Sequence, residues 1–372
     1  MNSGAITQSE SLLSFRSADR RSMFYPKSDP PLTDRALAAI RDWAPDIARQ
    51  RTADVAAAAT AYGYRGRADL LSVGTYHAVH RLTRTEEPSV VIRHTLPGLI
   101  EQDRGLLLDD WAQYWLAEGD AGALAPKVRL VRFQSDGAPF DLAIIELVKG
   151  TPLRDLGDAL LDDDPDVVAA IGDALRRTHT VKGSGAGLLD VVEDQPGQRP
   201  RGVHQQFSDY IEMCLQKHIA ACVRADFLDS GLAGRIERLF MHMQPALAGR
   251  PMRLLHGDPG IHNICWDPRS KGVTALIDWE DALVGDPLFD IAMWSTFHPP
   301  RRLAPFLSGY GLSNPTREEQ QLIALYFLRI ALSKTVHRLR FGIVDQPGRT
   351  PGHHRIYRGV EELERLLGTK GV

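Results

Sequence analysis

The sequence is poor in cysteine, which argues against a fold stabilised by disulfides and against a zinc site held by cysteine thiolates. It has 3 cysteines among 372 residues, Cys214, Cys222 and Cys265, and no Cys-x-x-Cys spacing. An odd number without paired spacing indicates neither a disulfide framework nor a zinc site. We therefore expect free thiols, and we place Cys265 in a buried strand.

The sequence also lacks an excess of either charge and any long apolar run. Its formal net charge is -3, which gives no electrostatic basis for binding nucleic acid or an anionic membrane. No apolar run is long enough to cross a bilayer, and residues 1–10 lack the charged and apolar regions of a signal peptide. These absences predict a cytoplasmic protein with no nucleic-acid or membrane partner; they say nothing about its oligomeric state.

Among the residues that are present, the stretch H-G-D-P-G-I-H-N at 256–263 carries the most chemical information. Short apolar runs flank it on both sides, and the two on its C-terminal side are joined by a turn-rich segment, which predicts a hairpin. If the turn is centred after Ser270, Asn263 lies opposite Asp278 and beside Asp258. The hairpin would then bring an amide oxygen and two carboxylates together.

These oxygen-bearing side chains suit magnesium. Mg²⁺ prefers hard oxygen ligands and usually takes one or two from protein, while phosphates and water supply the rest. Asn263 and Asp278 would be those two ligands, which leaves Asp258 to orient an attacking hydroxyl or accept its proton. A His-x-Asp sequence alone is more often ordinary loop chemistry, so the prediction of a phosphoryl-transfer site needs support from other motifs in the chain.

Two further motifs occur in order after this stretch, I-D-W-E at 277–280 and G-D-P-x2-D-I-A at 285–292, the second with Asp286 as a helix cap. Together the three motifs resemble the aminoglycoside phosphotransferase and choline kinase group, small-molecule relatives of eukaryotic protein kinases. The resemblance implies an α+β, bilobal protein-kinase-like fold, with a small antiparallel-sheet N-lobe and a larger, mostly helical C-lobe. It also implies site roles, namely catalysis for Asp258, magnesium binding for Asn263 and Asp278, and support of the catalytic loop for His256 and Asp290.

The chain is long enough for roughly two domains. Residues 1–32 are rich in Ser, Arg and Asp, and this composition predicts a mobile tail. Residues 33–147 would form the N-lobe, and residues 148–372 the C-lobe, because helical patterns dominate after the strands end. Helices are expected at the C-terminal end over 301–310, 317–341 and 355–367, whereas the Gly- and Pro-rich 181–203 predicts a loop.

Candidate nucleotide-binding residues lie in the predicted N-lobe strands. Ser72, Gly74 and Thr75 lie in a strand–turn–strand pattern, where the resemblance implies backbone N–H groups over the phosphates. With only one glycine a plain hairpin is an equal alternative. Arg93, at the end of the third strand, matches the family's phosphate-gripping cation. Asp109 would pair with it, and Asp110 is the alternative partner.

The last two strands of the N-lobe, 125–131 and 142–148, complete a predicted five-stranded sheet. The resemblance places the hinge after them, where backbone groups around Glu146 and Val148 would hydrogen-bond the purine. Recognition through the backbone leaves little trace in side chains, so ATP and GTP are not distinguished.

The resulting hypothesis is a small-molecule kinase that moves the γ-phosphoryl group of ATP or GTP to a hydroxyl of an antibiotic, sugar or related metabolite. Basic residues such as Arg301, Arg338 and Arg355 in the C-terminal segments make a strongly cationic acceptor less suitable. Two alternatives stay open. One is a kinase of choline, homoserine or a protein side chain, and the other is a catalytically silent nucleotide-binding regulatory module.

Overall fold

A computed structural model describes residues 44–74, 77–95, 105–117, 121–122, 124–189, 199–340, 342–344 and 351–368. The predicted tail, residues 1–32, and the predicted phosphate-loop residue Thr75 lie outside the described residues. The chain divides into two compact units. The first contains Leu32–Gln113 and Pro126–Val148, and the second contains Tyr114–Ala125 and Lys149–Val372. Among the described residues, no helix combines the length and apolar character needed to span a membrane.

The first unit is built on the five-stranded antiparallel sheet that the strand patterns predict, in the order β1-β2-β3-β5-β4. Its strands are β1 (Arg67–Val73), β2 (His77–Thr83), β3 (Val90–Thr95), β4 (Val128–Arg132) and β5 (Leu142–Glu146). Its helices are α1 (Ala44–Gln50), α2 (Thr52–Ala61) and most of α3 (Gly105–Ala117).

One face of this sheet is covered by α2. Ala residues and Val55 of the helix pack with apolar side chains of the strands, and the buried strand positions include Leu82, Ile92, Leu142 and Ile144. Small alanine side chains let a helix approach a sheet closely, and burying the branched side chains beneath it stabilises the unit by about 1.5–3 kcal/mol for each large residue. This packing fixes β3, the strand that carries Arg93.

The second unit is mostly helical, as the resemblance implies. Its helices are α4 (Leu153–Leu156), α5 (Ala159–Asp163), α6 (Pro165–Thr178), α7 (Phe207–Glu212), α8 (Leu215–Arg224), α9 (Ser230–Met243), α10 (Leu288–Phe297), α11 (Leu303–Tyr310), α12 (Arg317–Arg340) and α13 (Gly352–Leu367). Its strands are β6 (Thr151–Pro152), β7 (Ala186–Leu189), β8 (Gly202–His204), β9 (Arg253–Leu255), β10 (Ile264–Asp267), β11 (Gly272–Leu276) and β12 (Leu283–Gly285). Antiparallel sheets and many helices confirm the predicted α+β class.

Two short antiparallel sheets of the second unit carry the motifs found in the sequence. One has the order β11-β10-β6 and contains the predicted hairpin, and the other has the order β8-β7-β12-β9. The prediction of an unbroken loop over 181–203 is wrong, because β7 and β8 begin and end within or beside it. Gly185 and Gly187 have positive φ there. Gly185 lies against the backbone of Gly202, and Gly187 lies against the side chains of His204 and Tyr210, so the glycines that suggested a loop instead allow close packing at and beside β7.

The core of the second unit is centred on α12, which packs against α10 and α13. Tyr326 and Leu328 of α12 are fully buried, and so is Arg329. The guanidinium of Arg329 donates to the carbonyl oxygens of Ile211 and Met213, both at 2.6 Å, which satisfies a charge that would otherwise be costly to bury. The long helix therefore gives α10 a rigid support beside the loop after β9.

Candidate active site

The loop that comes after β9 depends on one glycine. Gly257 has φ +81°, and a Cβ added to it would lie 2.0 Å from the backbone oxygen of Asp281. Only glycine adopts this conformation without strain, and no side chain fits so close to another backbone atom. The H-G-D sequence thus reflects a tight contact between the loop and the segment just past the hairpin.

Gly257→Ala should therefore lower both stability and activity. We expect a loss of about 1–3 kcal/mol from the strained backbone, with a fall in kcat because the loop must move away from Asp281. Urea unfolding and steady-state kinetics would measure the two effects. Gly234→Ala is the matched control, since its Cβ would meet only the flexible end of Arg238 at 3.6 Å; a Gly257→Ala protein as stable as this control would contradict the expected strain.

Asp290 of α10 holds the loop from behind. Its side chain is fully buried, and its carboxylate accepts the backbone N–H groups of His256 at 2.7 Å and Gly257 at 3.0 Å. The same carboxylate accepts a hydrogen bond from Nε2 of His179 at 3.1 Å, and Nδ1 of His179 lies 2.7 Å from the hydroxyl oxygen of Tyr310. Three donors therefore converge on one buried carboxylate and fix two consecutive peptide groups of the loop.

His256 connects the loop to the end of the hairpin. Its ring Nδ1 accepts the N–H of Asp258 at 3.3 Å, and its Nε2 donates to the carbonyl of Ile277 at 3.0 Å. One ring nitrogen accepts while the other donates, so these partners assign a neutral imidazole with its proton on Nε2. The ring also lies 4.7 Å from that of Trp279. His256 thus fixes the backbone on the N-terminal side of both Asp258 and Asp278.

The two carboxylate oxygens of Asp258 have different neighbours. Oδ2 accepts Nε2 of His262 at 3.1 Å and Nδ2 of Asn263 at 3.4 Å, while Oδ1 lies 3.8 Å from Nζ of Lys334. Burial raises the pKa of Asp258, but the hydrogen bond from His262 and the charge of Lys334 outweigh it and lower the pKa to about 2. The carboxylate is therefore ionised at neutral pH, with the side chain 24% exposed.

The hairpin places Asn263 one residue away from the predicted register. Ile264 pairs with Leu276, and the N–H of Ile277 donates to the oxygen of Asn263 at 2.9 Å, so Asn263 lies opposite Ile277 and the predicted pairing with Asp278 is wrong. The turn comes one residue earlier than predicted, and Thr274 bulges out between paired positions. Asp278 comes directly after the residue that pairs with Asn263, so the two predicted magnesium ligands still lie at the same end of the hairpin.

The donor atoms at that end of the hairpin fit magnesium. Nδ2 of Asn263 donates to the carbonyl oxygen of Asp258 at 3.0 Å, which directs the amide oxygen to the opposite side of the group. Asp278 has φ +67°, an unusual conformation that Asp tolerates better than most residues and that is common at functional sites. The described residues contain no group of three or more His, Cys, Asp or Glu side chains that could hold a metal, so the fit rests on one amide and one carboxylate.

In the first unit, Arg93 forms a buried ion pair. Its Nη1 donates to Oδ2 of Asp109 at 2.6 Å, with the two side chains 8% and 4% exposed, and its Nη2 lies 3.2 Å from Nδ1 of His77. Asp110 instead accepts the amide of Gln113 at 2.7 Å. Of the two candidate acids on α3, the structure therefore pairs Asp109 with the strand cation.

The other predicted nucleotide-binding residues are less constrained. Ser72 and Gly74 are exposed at the end of β1, and the N–H of Gly74 donates to the carbonyl of His77 at 2.8 Å. A Cβ on Gly74 would meet that oxygen at an ordinary 3.5 Å, so nothing in the described residues requires glycine there. Glu146 ends β5, where its side chain pairs with Arg129, and Val148 is half-buried just beyond it.

Three side chains that flank Asp258 are not among the site residues predicted from the sequence. His262 donates to Asp258 from within the loop, Lys334 of α12 approaches the same carboxylate, and the ring of Phe297 contacts both of them. The one signal for Lys334 was a lysine placed directly after the long apolar stretch of a buried helix. A pattern of this kind shows burial, but it does not show which loop lies against the helix.

Several known proteins resemble the chain in fold. A thermostable mutant of aminoglycoside phosphotransferase APH(4)-Ia, solved as a ternary complex with ADP and hygromycin B, matches with TM-score 0.59 and 17% identity over 84% of this chain and 97% of that chain. A putative fructosamine-3-kinase from Thermobifida fusca has TM-score 0.59 and 17% identity over 84% and 98%. A choline/ethanolamine kinase family protein from Mesorhizobium loti has TM-score 0.56 and 17% identity over 87% and 96%. At these identities the likeness establishes the fold alone.

Sequence comparison is more informative about the family. Acyl-CoA dehydrogenase family member 11 of Homo sapiens is 33% identical over 75 residues, which are 20% of this chain and 10% of the human protein. The chain thus spans about a tenth of the length of that relative, too little to transfer an activity. A model of the phosphotransferase enzyme family matches residues 70–322, more than half of the chain and all three motifs. The chain therefore belongs to the phosphotransferase enzyme family.

Proposed function

We propose that the protein transfers the γ-phosphoryl group of ATP or GTP to a hydroxyl group of a small molecule. The observation that carries this proposal is the setting of Asp258, an ionised carboxylate with one oxygen tied to His262 and Asn263 and the other left facing Lys334. Family membership supports the reaction class. The ADP and hygromycin B in the APH(4)-Ia complex support a nucleotide and a hydroxylated acceptor.

Asp258 is the proposed catalytic residue. The acceptor hydroxyl would donate its hydrogen bond to Oδ1 while its oxygen attacks the γ-phosphorus, and the bond from phosphorus to the β–γ bridging oxygen would break to release the nucleoside diphosphate. The proton passes to Asp258 and then to water. With a pKa near 2 the carboxylate is a weak base, so its main contribution is to orient the hydroxyl, and proton transfer comes late.

Asn263 and Asp278 are the proposed holders of magnesium. Their two oxygens match the small number of protein ligands that Mg²⁺ takes when phosphates and water complete its coordination. When bound, the metal would offset the negative charge of the phosphates. His256 and Asp290 are proposed to support this arrangement by fixing the loop backbone.

The nucleotide contacts are proposed for residues of the first unit. The guanidinium of Arg93, held by Asp109, would offset phosphate charge. Backbone groups at Ser72, Gly74 and Thr75 would contact the phosphates. Backbone groups at Glu146 and Val148 would hydrogen-bond the purine. The boundaries proposed from the sequence, a tail at 1–32, an N-lobe at 33–147 and a C-lobe at 148–372, divide the chain accordingly.

A cytoplasmic location without nucleic-acid or membrane partners is also proposed. Cys222 and Cys265 are buried free thiols, and burial raises the pKa of Cys222 to about 12 and that of Cys265 to about 11. Such thiols are unreactive and have no partner for a disulfide, which suits a reducing compartment.

The proposal is tested by release of ADP or GDP from ATP or GTP with Mg²⁺, measured with hydroxylated antibiotics, sugars and small metabolites as acceptors. Release that depends on an acceptor, together with a phosphorylated product detected by mass spectrometry, is the expected result. Nucleotide binding is measured in parallel by calorimetry. A protein that binds nucleotide but shows no acceptor-dependent release would favour the silent regulatory module instead.

A further inference from the structure

Lys334 has surroundings that are unusual for a lysine. Its Nζ lies 3.8 Å from Oδ1 of Asp258, and its side chain is only 19% exposed. The ammonium also lies 3.4 Å from the centre of the Phe297 ring, a cation–π contact. A separation of 3.8 Å is too long for a hydrogen bond. Within the part of the chain that the structure describes, this ammonium thus has an attractive charge and an aromatic face nearby, but its three N–H groups have no acceptor.

Charges of both signs act on Lys334. Burial lowers the pKa of Lys334, Asp258 raises it, and repulsion from Arg355 and Arg338 lowers it further, with a resulting pKa of about 8. Asp281 acts in the opposite direction from Arg338 and Arg355. Two cationic and two anionic side chains therefore act on Lys334, and one of the anions, Asp258, is committed to the acceptor hydroxyl in the proposed reaction.

We infer that the acceptor is a hydroxylated molecule that also carries an anionic oxygen group, a carboxylate or a phosphate, and that Lys334 binds this group. The inference rests on the proposed phosphoryl transfer. An anionic group would satisfy the N–H groups of Lys334 with charge-assisted hydrogen bonds. A neutral molecule offers Lys334 only uncharged oxygen atoms, which form weaker hydrogen bonds with an ammonium than an anionic group does, and a cationic molecule would add repulsion.

The geometry limits the distance between the hydroxyl and the anionic group of such a molecule. One group must contact Nζ of Lys334 while the reacting hydroxyl contacts Oδ1 of Asp258, and these two atoms are 3.8 Å apart. With ordinary hydrogen-bond lengths at both ends, the hydroxyl and the anionic oxygen lie at most about 9 Å from each other. A small hydroxy acid or a sugar or polyol phosphate meets this limit. The ring of His262, 5.7 Å from that of Phe297, lies beside the same position.

Competitive labelling of lysine amines on the full chain tests the inference without requiring turnover. The protein is treated with acetic anhydride at pH 8, and acetylation of each lysine is followed by peptide mass spectrometry. The probes are glycerate and glycerol 3-phosphate, with glycerol and choline as neutral and cationic counterparts. Lys217 is the internal control, because it is exposed on α8. At tenfold excess over its dissociation constant, an anionic probe should slow labelling of Lys334 about tenfold and leave Lys217 unchanged.

The two anionic probes distinguish a carboxylate site from a phosphate site. Equal protection by glycerol or choline, or protection by neither anion, would overturn the inference whatever acceptor is later found. Lys334→Met provides the kinetic arm, in which KM for an anionic acceptor should rise at least tenfold while KM for ATP stays the same. If anions protect Lys334 but no acceptor-dependent release is seen, the proposed phosphoryl transfer is at fault and the anion site stands. Preferential turnover of cationic acceptors would overturn the site and leave the transferase intact.

Discussion

Asp258→Asn should lower kcat by about 10²–10⁴-fold, the range for loss of a positioned general base, while nucleotide affinity changes little. An amide of the same shape can accept the hydrogen bonds from His262 and Asn263 with its one oxygen. Its NH2 group would then face Lys334 and the acceptor hydroxyl. A donor in that place can neither orient the hydroxyl nor take its proton. The loop therefore keeps its conformation, but phosphoryl transfer slows.

The measurement is single-turnover phosphoryl transfer, combined with calorimetric titration of nucleotide so that binding and chemistry are read separately. Asp267→Asn is the matched control, since Asp267 only caps its own turn through the N–H of Arg269 and the hydroxyl of Ser270; it should retain full activity. An Asp258→Asn protein with kcat within threefold of the parent would remove Asp258 from the mechanism. Equal loss in both variants would point to a general disturbance of the hairpin.

Residue patterns predicted the elements that bury a large apolar face. The strands around Ile92 and Ile144 have such patterns, because half-buried strands and long helices need many apolar residues at fixed spacing. The three motifs placed the loop after β9, the hairpin and α10 in order. Asp258 and Asn263 belong to one loop, and the hairpin returns the chain from Asn263 to Asp278. Local chemistry of this kind can be read from the sequence.

Features that depend on long-range contacts could not be read in this way. The bulge at Thr274 is stabilised by its hydroxyl donating to the carbonyl of Lys149 at 2.6 Å, a partner far away in the chain. The early turn alone would place Asn263 opposite Leu276, two residues from the predicted partner, and the bulge reduces this error in register to one residue. Cys214 has φ +58°, and this left-handed residue separates α7 from α8. Nothing in a single sequence indicates that Lys334 would reach Asp258.

Asp290→Asn is expected to show the second large effect, a loss of about 3–5 kcal/mol in the free energy of unfolding, the range for breaking a buried charged contact. Oδ2 accepts His256 N and His179 Nε2, and Oδ1 accepts Gly257 N. Whichever of the two atoms becomes NH2 must face a backbone N–H group. A change of tautomer at His179 relieves its own contact, but it cannot relieve a backbone donor, so one buried hydrogen bond is lost and replaced by repulsion.

The same substitution should lower kcat about tenfold or more even at temperatures where the variant is fully folded, since the peptide groups of His256 and Gly257 set the position of Asp258. Urea unfolding at pH 7 gives the stability change, and kinetics well below the unfolding midpoint gives the activity change. Asp173→Asn, which removes only a half-exposed pair with Arg176, should cost less than about 1 kcal/mol. If Asp290→Asn were as stable as this control, the three hydrogen bonds that Asp290 accepts would contribute little to the free energy of unfolding. If it lost stability but kept kcat, Asp290 would support the fold without positioning the catalytic loop.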